Sequence, residues 1–379
     1  MKRTFVKSVA AVMMVALVAL AFAGCGKANT GYTADNKEFV IGGTGPLTGD
    51  ASSYGISVQQ GAQLAIKEIN AAGGLNGIKF KLDMKDDKAT AADAATGYDT
   101  LYESGMQASI GAVTSGSCDS FAEKASEDNV FAITPSASAA NVIADRPSVF
   151  RVCFGDPDQG VLAAEELVKN YKKIGAIYDT SDPYSSGIYD AFKGEMKKLK
   201  TDFETQTFDA ENKKDFSTQV EALKDCDVIF LPIYYTEAGF IAKAATAKGC
   251  EAVLFGCDGL DGVADQIDSS VTNTVKYITP FDVNSTEEAT KKFVDAYKAE
   301  YNEAPDQFAA DGYDAIMTIF EAMKKADVKD VTISASDLSD ILCKTITDKG
   351  FSYTGATGKM TWDESGACQK VPQIVELKK

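Results

Sequence analysis

"FVIGGTGPLTGDASSYG", Phe39 to Gly55, runs from a short apolar stretch through three spaced glycines into a helix-like segment. A strand, a glycine turn and a helix is how a phosphate-binding loop is built, because glycines let the backbone approach a pyrophosphate at a helix N-terminus. The details disagree with that use. Gly43, Gly45 and Gly49 give G-x-G-x-x-x-G rather than G-x-G-x-x-G, and Pro46 removes one N–H donor. An acidic residue is wanted about 20 positions on, at the end of a second strand. The next strand-like run ends only at Asp86. The nucleotide reading is therefore set aside, and no cofactor or metal is expected. The stretch is read as the first strand–turn–helix unit of an α/β fold.

Similar units follow. Val58, Ala62, Leu64, Ala65, Ile66 and Ile69 recur at helical spacing over Ser57–Ala72, and Gly73-Gly74 stops the helix. "IKFKLDMKD" alternates like a half-buried strand. The rhythm predicts helices at Ala89–Glu103 and Phe121–Asp128, with "ASIGAV" and "VFAITPSAS" as strands. After "FRVCFGDPDQG", read as a break with turn chemistry, it resumes. Helices are expected at Gln159–Tyr171, Ser185–Leu199, Ser217–Leu223 and Glu237–Lys248, with strands at "KIGAIYD", "ETQTFDA", "DVIFLPIY" and "AVLFGCDG". Such alternation implies parallel sheets with helices on both faces. Beyond "YITPFDVNS" the character changes: helices at Ala289–Tyr301, Ala309–Lys325 and Leu338–Thr345 precede a β-like end. The chain is expected to cross between two lobes more than once.

Lys2, Arg3 and Lys7 precede an uncharged apolar run, Ser8–Phe22, about right for a secretory leader and short for a membrane span. Phe22-Ala23-Gly24-Cys25 resembles the lipobox of bacterial lipoproteins, which implies cleavage before Cys25 and a diacylglyceryl thioether on it. That family prefers leucine where Phe22 stands. Residues 26–37 are small and polar and read as a flexible tether. The body is expected outside the cytoplasm, held to the membrane by lipid alone.

The net charge is −17, and the leader's three cations leave with it, so the mature chain is more acidic still. This opposes binding to nucleic acid or to an anionic lipid surface. There is no histidine, which excludes Ser-His-Asp and Cys-His nucleophile pairs and histidine metal ligands. The commonest acid–base side chain is missing, and no enzyme is expected. Seven cysteines follow Cys25, none as C-x-x-C. Cys226 with Cys250, each just before an apolar run, is one candidate disulfide and Cys343 with Cys368 another. The alternative is seven small, buried apolar side chains.

In order along the chain, "IGGTGPLTGDASSYGISVQQGAQLAIKEINAAGG", "IGAVTSGS", "ITPSASA", "YDTSDPYSSG", "IYYTEAG", "LFGCDG" and "GATGKMTWDESG" resemble the type I periplasmic binding proteins, in particular the leucine/isoleucine/valine-binding proteins of ABC transporters. The likeness implies two doubly wound parallel-sheet lobes joined by three crossovers, a Venus-flytrap. It divides the chain into a leader (1–24), a tether (25–37), an N-terminal lobe (38–153 with 281–355) and a C-terminal lobe (154–280 with 356–379). The glycine loop would then line the interlobe cleft.

A buried amino acid must have both its charges satisfied. Hydroxyls and free N–H groups at helix starts suit the carboxylate, and "VTSGSCDS" and "TPSASA" offer them at strand ends. Serines in loops are otherwise plain turn formers. By resemblance, Ser115 and Ser138 hold the carboxylate, and the Ser136 carbonyl and Ser138 hydroxyl accept from the ammonium. Asp258 would be the ammonium's anion, one methylene shorter than the family's usual glutamate. Tyr54, Tyr184, Tyr234 and Phe308 would wall the aliphatic side chain. The function implied is the substrate-binding component of an importer: a monomer delivering a branched-chain amino acid to a permease. Another small ligand (a different amino acid, an amide or an aromatic acid), or service as a ligand sensor, stays open.

Overall fold

The computed structural model describes residues 36–377. The leader, Cys25 and the tether up to residue 35 lie outside the described residues. Strand β1 (Glu38–Gly45) leads into α1 (Ser52–Ala71); β2 (Lys79–Asp86), α2 (Ala91–Glu103), β3 (Ala108–Ser109), α3 (Ser115–Glu127), β4 (Ala132–Thr134) and β5 (Val149–Arg151) follow. The strands form a parallel sheet in the order β2-β1-β3-β4-β5. The chain then builds α4 (Asp156–Asn170), β6 (Ile174–Asp179), α5 (Pro183–Lys198), β7 (Glu204–Phe208), α6 (Ser217–Ala222), β8 (Val228–Leu231), α7 (Tyr235–Lys248), β9 (Val253–Gly256) and β10 (Val275–Thr279). All four residues of β8 are buried, as in a strand covered on both faces.

Next come α8 (Glu288–Tyr301), α9 (Gln307–Lys325), α10 (Ala335–Ile346), β11 (Tyr353–Gly355), β12 (Gly358–Trp362), β13 (Cys368–Gln369) and β14 (Gln373–Glu376). Helix α9 returns to the first sheet and lies directly on α1. A Cβ at Gly61 would stand 1.9 Å from the Ala309 carbonyl oxygen, and one at Gly312 2.4 Å from that of Val58. Only glycine at these two positions lets the helix backbones touch. The second sheet has the order β14-β10-β9-β8-β6-β7, with β14 antiparallel to β10.

The expected α/β architecture of two parallel sheets is present. The chain passes between them three times, after β5, after β10 and after β13. The last crossing falls at 370–372, not at 356. The β11–β13 sheet stays with the first lobe, where Trp362 Nε1 donates to the Arg151 carbonyl (2.7 Å) and Arg151 N to that of Gly366 (3.1 Å).

Several helices start earlier than their apolar period. Helix α1 begins at Ser52 rather than Ser57, α3 at Ser115 rather than Phe121, and α4 at Asp156 rather than Gln159. Strand β3 is short because the chain turns at Gly111, whose φ is 63°.

Neither candidate disulfide forms, and all seven cysteines among the described residues are free thiols. Val228 pairs with Val253, so continuing the register puts Cys226 opposite Glu251, one residue away from Cys250. Both side chains pack in one apolar cluster, but they lie just before the paired strands and stay unbonded. Cys343 lies on α10, with Sγ 3.8 Å from Ser339 Oγ, while Cys368 lies on β13.

Candidate ligand-binding cleft

In both sheets the strand order reverses beside the first strand, and open α/β sheets bind ligands beyond the C-terminal strand ends at such points. Those ends face each other. The first sheet contributes the β1–α1 turn with Tyr54, the start of α3 with Ser115, and the loop after β4 with Ser136 and Ser138. The second contributes Tyr184 at the start of α5, Tyr234 before α7, and Asp258 after β9.

Seven of the eight expected residues, Tyr54, Ser115, Ser136, Tyr184, Tyr234, Asp258 and Phe308, line one cavity, with Val113, Thr114 and Gly259. Ser138 is not on that wall. It is fully buried, and its hydroxyl has no hydrogen-bond partner. About 10 Å³ of the cavity is open to the centre of a water molecule, roughly the least that admits one water. A second, outer cavity of about 340 Å³ shares the Thr114, Tyr184 and Tyr234 walls and is also lined by Asp50, Lys213 and Glu237.

The rings fill the inner space. Tyr54 lies 4.1 Å from Phe308, 4.8 Å from Tyr235 and 5.6 Å from Tyr234, centroid to centroid, and Tyr184 stacks on Tyr234 at 4.9 Å. Polar bonds tie the two sides together. The Tyr54 hydroxyl donates to the Gly259 carbonyl (2.5 Å) and accepts from Tyr235 N (3.1 Å). Thr236 Oγ1 donates to the Asp50 carbonyl at 2.7 Å. Gln307 Nε2 donates to the Asp258 carbonyl (2.8 Å) and Gln307 N to Asp261 (2.9 Å). The structure is thus a closed form.

Asp258 Oδ1 accepts from the Tyr184 hydroxyl (2.7 Å) and Gly259 N (2.9 Å). Burial pushes its pKa up to about 6, against the pull of these bonds. Asp182 caps α5, accepting from Tyr184 N and Ser185 N, and burial lifts it to about 6 too. On the opposite wall Ser136 Oγ is spent on the Val113 carbonyl (2.8 Å), and Ser115 Oγ accepts from Ala139 N (3.2 Å). Two contributors escaped the sequence reading. Gln307 starts α9, and only the preceding Asp306, a cap for Ala309 N, was a signal there. The other is Asp156, buried in the first turn of α4, whose sequence neighbours Gly155 and Pro157 read as a turn.

A family model described as "Periplasmic binding protein" matches residues 38–367. The chain belongs to that family. It is a type I periplasmic binding protein. Among its relatives is the Leu/Ile/Val-binding protein homolog 3 of Brucella melitensis, 28% identical over 337 residues, which span 87% of this chain and 88% of the relative. The branched-chain amino acid transporter substrate-binding protein LivJ of Streptococcus pneumoniae, solved with isoleucine, is 29% identical with a TM-score of 0.76, and the match covers 90% of this chain and all of that one. A solute-binding protein of R. palustris solved with benzoate superposes with a TM-score of 0.79 at 20% identity, covering 90% of this binding protein and 93% of its own chain; this likeness is one of fold. Among the described residues no helix is long and apolar enough to cross a membrane, and no acid–cysteine group could hold a metal.

Proposed function

We propose that this protein is the extracytoplasmic substrate-binding component of an ABC importer, and that it clamps a free branched-chain amino acid between two lobes. The observation that carries this reading is the convergence of Asp258, four aromatic rings and the Ser115 turn on one cavity from both sheets. Asp258 neutralises the ammonium. The start of α3 receives the carboxylate with its hydroxyls and N–H groups. Tyr54, Tyr184, Tyr234 and Phe308 cover the aliphatic side chain. The lobes are 38–153 with 281–370, and 154–280 with 373–377. Cys25 carries the lipid anchor, and the protein works as a monomer.

No bond is made or broken. The closed cavity is too small for an amino acid, so the walls part, the ligand enters, and its contacts to both lobes favour reclosure. The permease reads the closed form. An aromatic acid without an amine would leave Asp258 buried with no cation, which favours the amino acid. The relatives' names support the same choice.

The test is calorimetric titration of the chain from Lys27 onward, stripped of carried-over ligand by unfolding and refolding, against the twenty amino acids. Micromolar binding of leucine, isoleucine or valine, about −8 kcal/mol, that disappears in Asp258→Ala supports the reading. Binding of none of them overturns it.

A further inference from the structure

Asp258–Leu260 is one turn of 3-10 helix after β9, in the second lobe, and its polar groups are held from two directions. Its own lobe holds the amide and the carboxylate of Asp258. Asp258 N donates to Gln159 Oε1 at 3.1 Å, and Asp258 Oδ1 accepts from the Tyr184 hydroxyl and Gly259 N. The first lobe holds the carbonyls. That of Asp258 accepts from Gln307 Nε2 at 2.8 Å, and that of Gly259 from the Tyr54 hydroxyl.

Gln307 makes further bonds to the second lobe. Its Oε1 accepts from Thr279 Oγ1 at 2.7 Å, and Thr279 is the last residue of β10, where the chain leaves the second sheet. Its backbone N donates to Asp261 Oδ2 at 2.9 Å. Helix α9, which Gln307 begins, is fixed to the first lobe by its contact with α1. One residue of the first lobe therefore grips the second at the ends of both β9 and β10. Gln307 is 1% exposed, so water has no room to replace its bonds while the lobes are shut.

We propose that Gln307 is a positioning residue that couples closure of the lobes to the placement of Asp258. Gln307 does not line the inner cavity. It acts through the peptide that carries Asp258, which it fixes in the closed form and releases to water when the walls part. Without this donor the closed form buries an unpaired carbonyl and the open form does not, so only closure is penalised. A ligand enters the open form, so entry should be untouched and escape faster. This inference rests on the proposed function and adds the residue through which closure tightens its grip.

The experiment measures leucine association and dissociation by stopped-flow tyrosine fluorescence for the wild type, Gln307→Met and Gln307→Glu, near pH 5 and near pH 8, with thermal unfolding of each. Gln307→Met keeps the length and removes the donor. It should release leucine at least about fivefold faster, the lower bound for a stranded buried carbonyl, with association changed by less than about twofold. A role in fold stability alone would lower the melting temperature and leave both rates of the folded protein unmoved. In Gln307→Glu the ionised acid turns only lone pairs to the Asp258 carbonyl, whereas the protonated acid donates as glutamine does. Its dissociation rate relative to the wild type should be raised near pH 8 and fall back toward one near pH 5. Taking that ratio sets aside the titration of Asp258, Asp261 and Asp306, the acids around Gln307, which both proteins share. Gln307→Glu decides the matter if Gln307→Met fails to fold. An unchanged dissociation rate in a folded variant, or a weakening carried by association, overturns this inference alone. A wild type that binds none of leucine, isoleucine and valine overturns the proposed function, and this inference with it.

Discussion

The Tyr54 hydroxyl, at the start of α1, donates to the Gly259 carbonyl at the end of the opposite sheet, 2.5 Å away. One phenol therefore spans the cleft, and the same oxygen accepts from Tyr235 N. Tyr54→Phe keeps the ring against Phe308 and removes both bonds. Losing them should weaken ligand binding by about 5- to 30-fold, near 1–2 kcal/mol. Tyr54→Ala, which also removes the ring, should cost more. Calorimetry reads the affinity, and X-ray scattering of the ligand-free variants should show a larger radius of gyration.

The contact between α1 and α9 leaves no room for a methyl group. Gly61→Ala places a Cβ 1.9 Å from the Ala309 carbonyl oxygen. Backbone cannot rotate away as a side chain can, so the variant should lose about 2–3 kcal/mol of stability or more. Urea unfolding measures it. Gly194→Ala, where a Cβ meets nothing within 4 Å, is the control and should be neutral or stabilising.

Asp258 and Asp182 are both pushed up to about 6 by burial, while an unfolded aspartate titrates near ~4. The native state therefore holds protons that the unfolded chain has released. That contribution is full below about pH 4 and is lost as pH rises through about 6. The ligand-free protein should melt at a higher temperature near pH 5 than near pH 7, and Asp258→Asn should narrow the difference, leaving the part due to Asp182. Because an amine stabilises the ionised acid, the melting shift caused by leucine should be larger near pH 7.

Lys370 Nζ lies 3.0 Å from Asp311 Oδ1, with both side chains almost wholly buried. The pair joins the third crossing to α9. Removing one partner strands a buried charge, so Lys370→Met should cost about 3–5 kcal/mol. The double variant with Asp311→Leu should recover much of that loss. Chemical unfolding of the two variants tests it.

All seven cysteines of the described chain are thiols, six buried and Cys343 half-buried. The body produced without reductant should titrate seven thiols in denaturant and at most one when native. Five would mean that a disulfide had formed.

The apolar periods located the helices, because core faces repeat and a stop such as Gly73-Gly74 is unambiguous. They missed helix beginnings, since the first turns of α1, α3 and α4 carry Ser52, Ser115 and Asp156, polar residues beside the cleft rather than on the core face. Tyr54, Tyr184 and Tyr234 were legible only through the family resemblance, since nothing in their local spacing separates a cleft tyrosine from a core one. Asp156 was not, because "DPD" reads equally as a turn or as a helix start with proline in its first turn. The Cys226–Cys250 pairing needed a register that only the strand pairing reveals.

Strand β14 joins β10 from Lys276–Glu376 to Thr279–Gln373, and it is the last strand among the described residues. While the protein is being synthesised, the other five strands of the second sheet emerge first, and β10 presents an open edge of hydrogen-bonding groups until residues 373–376 follow. A chain cut short at residue 370 would keep that edge permanently, and exposed edges recruit other strands. Residues 373–376 act as a finishing seam, and their loss should appear first as aggregation rather than as weakened ligand binding.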